Sequence, residues 1–169
     1  MTRLLARLLV VATGLSLDGI GHAADADFLK SLEGNWAGKG SVKVEADSSP
    51  IRVDCTFASD TTENSMSLDG QCTGLVVFSR PIGATLRTDG KSYTGTYVGS
   101  STGPAGLVGK RSGNALNLGI RWKAKVNGDR AAKLRLEKVG ENGMRLTTVD
   151  TDPATGKNVV ISDLNLLRL

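Results

Sequence analysis

The chain has 169 residues, a formal net charge of +4, two cysteines and one histidine, with 40% hydrophobic and only 4% aromatic residues. That length suits one domain around one core. A single imidazole excludes any metal or haem site that needs two.

The first residues read as an export signal. Arg3 and Arg7 flank the start, residues 8–17 form an apolar run, and Gly21-His22-Ala23 is a small-x-small cleavage site. Ten residues interrupted by Gly14 are too few for a bilayer span, which needs about 20. The expected division is a cleaved signal peptide over residues 1–23 and a single β-barrel domain over residues 24–169, with no transmembrane segment after cleavage. Removing Arg3, Arg7 and Asp18 lowers the net charge to +3, and removing His22 leaves no imidazole for a Ser-His-Asp arrangement or for a histidine-ligated zinc or haem. No cysteine stands at the cleavage point to take a lipid. The sequence therefore predicts a soluble periplasmic or secreted protein of a bacterial envelope, with no catalytic constellation, no metal site and no cofactor.

Helical periodicity appears once, over residues 27–33, where Phe28, Leu29 and Leu32 share a face and Asp27 is placed to cap. From Trp36 onward apolar residues recur at every second position, and Gly, Asn, Asp and Pro clusters interrupt them about every 8 to 12 residues. Trp36, Gly38, Gly40 and Val42 share one face of the first strand; Ile51, Val53, Cys55 and Phe57 share one face of the second; Met66, Leu68, Gly70 and Cys72 continue that face in the third. Ile82, Ala84 and Leu86 follow, and the turn "TDGK" leads to Tyr93, Gly95, Tyr97 and Gly99. A short sixth strand around residues 107–110 precedes the clearest one, with Leu116, Leu118, Ile120, Trp122 and Ala124 on its inner face. Ala132, Leu134 and Leu136, then Met144, Leu146 and Thr148, mark two more strands, and the last runs to the C-terminus. Val159 and Ile161 alternate out of phase with Leu164 and Leu166, which requires a bulge near Ser162 and Asp163. The pattern describes a closed antiparallel up-and-down β-barrel of about eight to ten strands, ten by direct count, behind a short N-terminal helix.

In an oxidising compartment the even pair Cys55 and Cys72 reads as a disulfide, and both residues fall on the inner face of neighbouring strands. Bridging them should stabilise the fold by ~3 kcal/mol in the chain-entropy picture.

Closing an even number of antiparallel strands brings the start of the first beside the end of the last. Those positions are Trp36 and Arg168, a pairing in which the guanidinium can lie on the indole face. Gly34-Asn35-Trp36 after a short helical turn, with a basic residue at the end of the final strand, resembles the lipocalin and wider calycin superfamily of ligand-binding barrels. The resemblance implies a cup whose closed end is plugged by Trp36 and Arg168 and whose open end admits a small hydrophobic or amphipathic molecule. Locally, "SYTGTYVG" and "NALNLGIRWK" resemble strands of the avidin branch, but too few aromatics remain to line a biotin pocket.

Tyr93, Tyr97 and Trp122 are either core residues or the side chains that orient a ligand in such a cup. Between residues 110 and 138 nine basic residues stand against Asp129 and Glu137, and Arg121, Lys123, Lys133 and Arg135 fall on the outward face. This wall is either a solvated surface or a contact for an anionic envelope lipid or polysaccharide. Its one interleaved aromatic, Trp122, points inward, so nucleic acid is excluded as a partner. The leading expectation is a non-enzymatic exported binding protein. Its alternative is an envelope-maintenance or protein-interaction module, including one resembling barrel-shaped protease inhibitors, that acts through its outer surface.

Overall fold

The protein is described from a computed structural model covering residues 19–74 and 78–169. One helix, α1 (Gly19–Ser31), is followed by ten strands: β1 (Gly34–Val42), β2 (Ile51–Thr61), β3 (Ser65–Gly74), β4 (Phe78–Thr88), β5 (Tyr93–Val98), β6 (Ala105–Ser112), β7 (Ala115–Val126), β8 (Asp129–Val139), β9 (Gly143–Thr151) and β10 (Asn158–Arg168). Each strand pairs antiparallel with its sequence neighbours, and β10 closes the ring on β1 from Trp36↔Arg168 to Val42↔Ser162. The fold is the ten-stranded closed up-and-down barrel that the alternation predicts. Closure leaves no edge strand with unpaired backbone groups.

Period-two burial runs through the walls. Val53, Cys55 and Phe57 on β2 and Leu116, Leu118, Ile120 and Trp122 on β7 are buried, while the residues between them are exposed, apart from buried Ala115 at the start of β7. Ala124 departs from the expected inner position and is exposed. The cause is a register break between Arg121 and Val126 that frees this end of β7 from regular pairing with β8. The bulge in β10 falls between Val160 and Ser162, one step earlier than expected, and restores Leu164 and Leu166 to the interior. The sixth strand is longer than its apolar core suggests, because its pairing with β7 continues through polar Lys110, Arg111 and Ser112.

The helix also differs from the sequence reading. It begins at Gly19, so Asp27 is an exposed interior residue and caps nothing. Residues 1–18 of the expected signal peptide lie outside the described residues, and the backbone at the expected cleavage site belongs to α1.

Two inward-phase glycines show how the wall coils. A Cβ at Gly38 would lie 1.9 Å from the carbonyl oxygen of Asn165, and one at Gly95 would lie 1.8 Å from that of Thr85. Only glycine permits so close an approach of neighbouring backbones.

Candidate functional site: the open end of the barrel

The two ends are built differently. At one end α1 lies across the opening with Phe28, Leu29 and Leu32 buried. Trp36, fully buried, donates its indole N–H to the Leu32 carbonyl at 3.1 Å. The Arg168 guanidinium sits 4.3 Å from the Trp36 ring centroid and donates through Nη2 to Ser31 O at 2.7 Å and through Nη1 to Glu33 O. Arg168 thereby satisfies carbonyls at the helix C-terminus that have no partner within the helix. Lys138 approaches the same indole at 5.9 Å. A second clasp holds α1 from its other side: Arg111 Nε donates to Asp25 Oδ1 at 2.6 Å while its guanidinium lies over Phe28 at 5.3 Å. Tyr93 is buried beneath this clasp. Burial, and then the nearby Asp25 charge, push its hydroxyl pKa above the ordinary value. Tyr93 therefore belongs to the plugged end.

The opposite end leads into a cavity of about 290 Å³. Its wall is apolar, with Val53, Met66, Leu68, Leu86, Leu118, Leu134, Leu136, Leu146 and Leu164 contributed by nearly every strand. Cys72 lines it too, and is bonded to Cys55, its register partner on β2, across a Cα–Cα distance of 4.1 Å. The small inward side chain of Ala84, the register partner of Tyr97, leaves room beside it. Tyr97 and Trp122 meet edge to face at 5.9 Å and both line the cavity. Burial raises the Tyr97 pKa, opposed by the charge of Arg80. The Trp122 indole N–H is buried and has no hydrogen-bond partner among the described residues.

Polar groups collect at the mouth. Arg80 donates to the Gly99 carbonyl at 3.0 Å. Across the ring, buried Asp150 accepts from Asn127 Nδ2 at 2.8 Å and from the Thr151 backbone N–H at 2.8 Å. Of the three expected ligand contacts, the structure brings Tyr97 and Trp122 together and places Tyr93 elsewhere. Arg80, Asn127 and Asp150 were missed, although strand parity carried a signal for two of them: Arg80 is in phase with Ile82 and Ala84, and Asp150 with Leu146 and Thr148, so each is a charge in an inward position.

On the outer surface Arg121, Lys123 and Lys133 are exposed, and they form no ion pair among the described residues. Arg121 faces Ala131 and Lys133 faces Gly119, which makes the two cations diagonal neighbours. Arg135 is committed instead, with Nη2 3.2 Å from Glu137 and Nη1 donating to Asn117 at 2.8 Å.

No protein-family model and no curated protein matches the chain. Among solved structures the barrel is similar to the S-type phycobiliprotein lyase CPES from Guillardia theta, with a TM-score of 0.59 and 10% identity, covering 92% of this chain and 98% of that one. At that identity the likeness shows the fold alone, and the resemblance to the lipocalins is supported no further than a shared barrel architecture. It also corrects one expectation. A barrel of this architecture bears the name of a lyase, so the reading of this chain as non-enzymatic does not stand.

Proposed function

We propose that this protein is exported to the periplasm or beyond the cell and holds a small hydrophobic or amphipathic molecule inside its barrel. The observation that carries the reading is the apolar cavity of about 290 Å³, open at one end and sealed at the other by α1, Trp36 and Arg168. Ligand pockets start near 300 Å³ and combine apolar walls with a few polar groups, so the occupant is compact. Tyr97 and Trp122 are the proposed aromatic contacts, and Arg80 and Asp150 offer opposite charges at the mouth. The disulfide fits an oxidising compartment. No helix among the described residues is long and apolar enough to cross a membrane. That a solved barrel of the same fold is named as a phycobiliprotein lyase adds support for small-molecule handling by this architecture.

The test is titration with the apolar dye N-phenyl-1-naphthylamine beside native mass spectrometry of protein purified from its own host. Saturable dye binding is expected, and Ala84→Phe, which fills the space next to Tyr97, should weaken it about tenfold, equivalent to ~1.4 kcal/mol. An undisturbed affinity in that variant, or no binding of dye or co-purified molecule at all, overturns the reading.

One observation favours a second role at the outer surface: the uncompensated Arg121, Lys123 and Lys133 suit an anionic envelope lipid, each being worth ~1 kcal/mol near a charged membrane. The mature protein should co-sediment with anionic vesicles in preference to zwitterionic ones at low salt, and reversing the three charges to glutamate should remove the preference. Equal binding to both vesicle types makes the wall ordinary solvated surface.

A further inference from the structure

The loop joining β1 to β2, residues 43–50, reaches over the mouth and touches a turn far from it in sequence. It is a preformed unit. Ser48 Oγ accepts from the backbone N–H groups of Val44 and Glu45, each at 3.1 Å, Ser48 N–H donates to Glu45 O at 3.1 Å, and Lys43 Nζ donates to Ala46 O at 3.1 Å. Its tip, Ala46, is buried, and the Ala46 N–H donates to Asn127 Oδ1 at 3.1 Å, 81 residues away. In the ring, β10 and β9 stand between β1 and the β7–β8 hairpin that carries Asn127, so the contact forms a chord across one side of the opening. Lys43 and Val44 at one end of the chord and Asn127 at the other line the cavity.

Asn127 is suited to hold that position. It has a φ of 47° in a turn completed by Gly128 at 94°, a conformation that asparagine tolerates better than most residues. Its amide has two ends, and both are engaged: Oδ1 takes the Ala46 N–H, and Nδ2 donates to buried Asp150 on the cavity wall. Among the described residues this is the one hydrogen bond recorded from residues 44–50 to another part of the barrel. Lys43 N–H donates to Ile161 O at 2.7 Å and so fixes the base of the loop on β10; beyond that base, a self-contained loop held by one reversible hydrogen bond is free to swing as a unit.

We propose that residues 44–50 form a lid over the cavity and that the Asn127 side chain is its latch, so that breaking the Ala46–Asn127 contact sets the rate at which the cavity exchanges its occupant. This rests on the ligand-holding reading and assigns the control of that same site. Because the latch acts on the mouth, through which an occupant both enters and leaves, opening should speed association and dissociation together.

The test uses Asn127→Gly, which keeps the left-handed turn and deletes both hydrogen bonds, and Ala46→Pro, which deletes the donor from the lid side and leaves the β7–β8 turn intact. Two measurements separate the latch from the cavity. Hydrogen exchange at the Ala46 amide, read without ligand, should accelerate about five- to tenfold in Asn127→Gly. Stopped-flow mixing with N-phenyl-1-naphthylamine should show both rate constants rising in both variants, and in Ala46→Pro, whose side chain does not line the cavity, they should rise by a similar factor with Kd changed less than about twofold. Unchanged Ala46 exchange overturns the latch. Faster exchange with unchanged dye kinetics overturns the gating role and leaves ligand holding intact, whereas failure of the parent protein to bind dye removes the ligand reading and the gate with it.

Discussion

The plugged end and the mouth are made from the same strands, yet their polar groups behave in opposite ways. At the plugged end the donors that hold α1 act on a fixed element: Arg168 on the carbonyls of Ser31 at the end of α1 and of Glu33 just beyond it, Trp36 on Leu32, Arg111 on Asp25. The side chains there are large and fully buried, with Trp36, Leu29, Leu32 and Leu116 at zero exposure. At the mouth the contacts reach loops, Arg80 donating to the Gly99 carbonyl and Asn127 Oδ1 accepting from the Ala46 N–H, and the apolar walls between them enclose space. One end thus concentrates packing, which stabilises in proportion to the area removed from water. The other leaves the same chemistry unfilled, which costs stability and supplies a site.

The largest way to break this contrast is Trp36→Ala. Deleting a fully buried indole should cost about 3–5 kcal/mol, read as a lower urea midpoint, while dye affinity at the mouth stays within about twofold if the variant is kept below its transition. A Trp36→Phe and Arg168→Gln double-mutant cycle sharpens the same point. The guanidinium lies on the ring, so the two losses should be non-additive by about 0.5–3 kcal/mol. Strict additivity, or loss of dye binding in folded Trp36→Ala, would show that the two ends are not independent.

What could be read from the sequence follows the same division. The strands were legible because burial on one face imposes a period of two, which survives even where propensity is poor, as at Gly38 and Gly40. The Trp36–Arg168 meeting followed from parity and closure alone, since ten antiparallel strands must return the last to the first. The length of α1 was not legible. Its N-terminal half carries no amphipathic pattern, and it is docked by Asp25 and Arg111, an ion pair between residues 86 apart that no local periodicity encodes. The cavity was equally hidden, because small inward residues have two outcomes. At Gly38 and Gly95 they bring backbones together, and at Ala84 they leave room. Which occurs depends on the coiling of both neighbouring strands. The lid lay beyond reach for a simpler reason: "EADSS" reads as an ordinary polar loop, and its partner Asn127 reads as an ordinary turn residue.

Between the two ends, on the outer wall, Arg145 and Asp163 provide the smallest and most specific test. They sit diagonally across the β9–β10 pairing, since Arg145 faces Asn165 and Asp163 faces Thr147. The guanidinium grips the carboxylate with both arms, at 2.8 and 2.6 Å. Those hydrogen bonds hold the Asp163 pKa below its ordinary value. A depressed carboxyl pKa means that the unfolded chain binds the proton more readily, so the pair's contribution is present above the unfolded value near pH 4 and is lost as pH falls through the native one. The Arg145 side chain is 46% exposed, so solvent screens the pair and its worth is at most about 1 kcal/mol. Asp163→Asn should lower the urea midpoint slightly at about pH 7, should leave it equal to the parent's once the pH is low enough to protonate Asp163 in the folded state, and should alter neither dye affinity nor the Trp36–Arg168 coupling. A variant as stable as the parent at neutral pH would mean that closure of the ring at this seam owes nothing to the ion pair and rests on the backbone ladder and the leucines inside it.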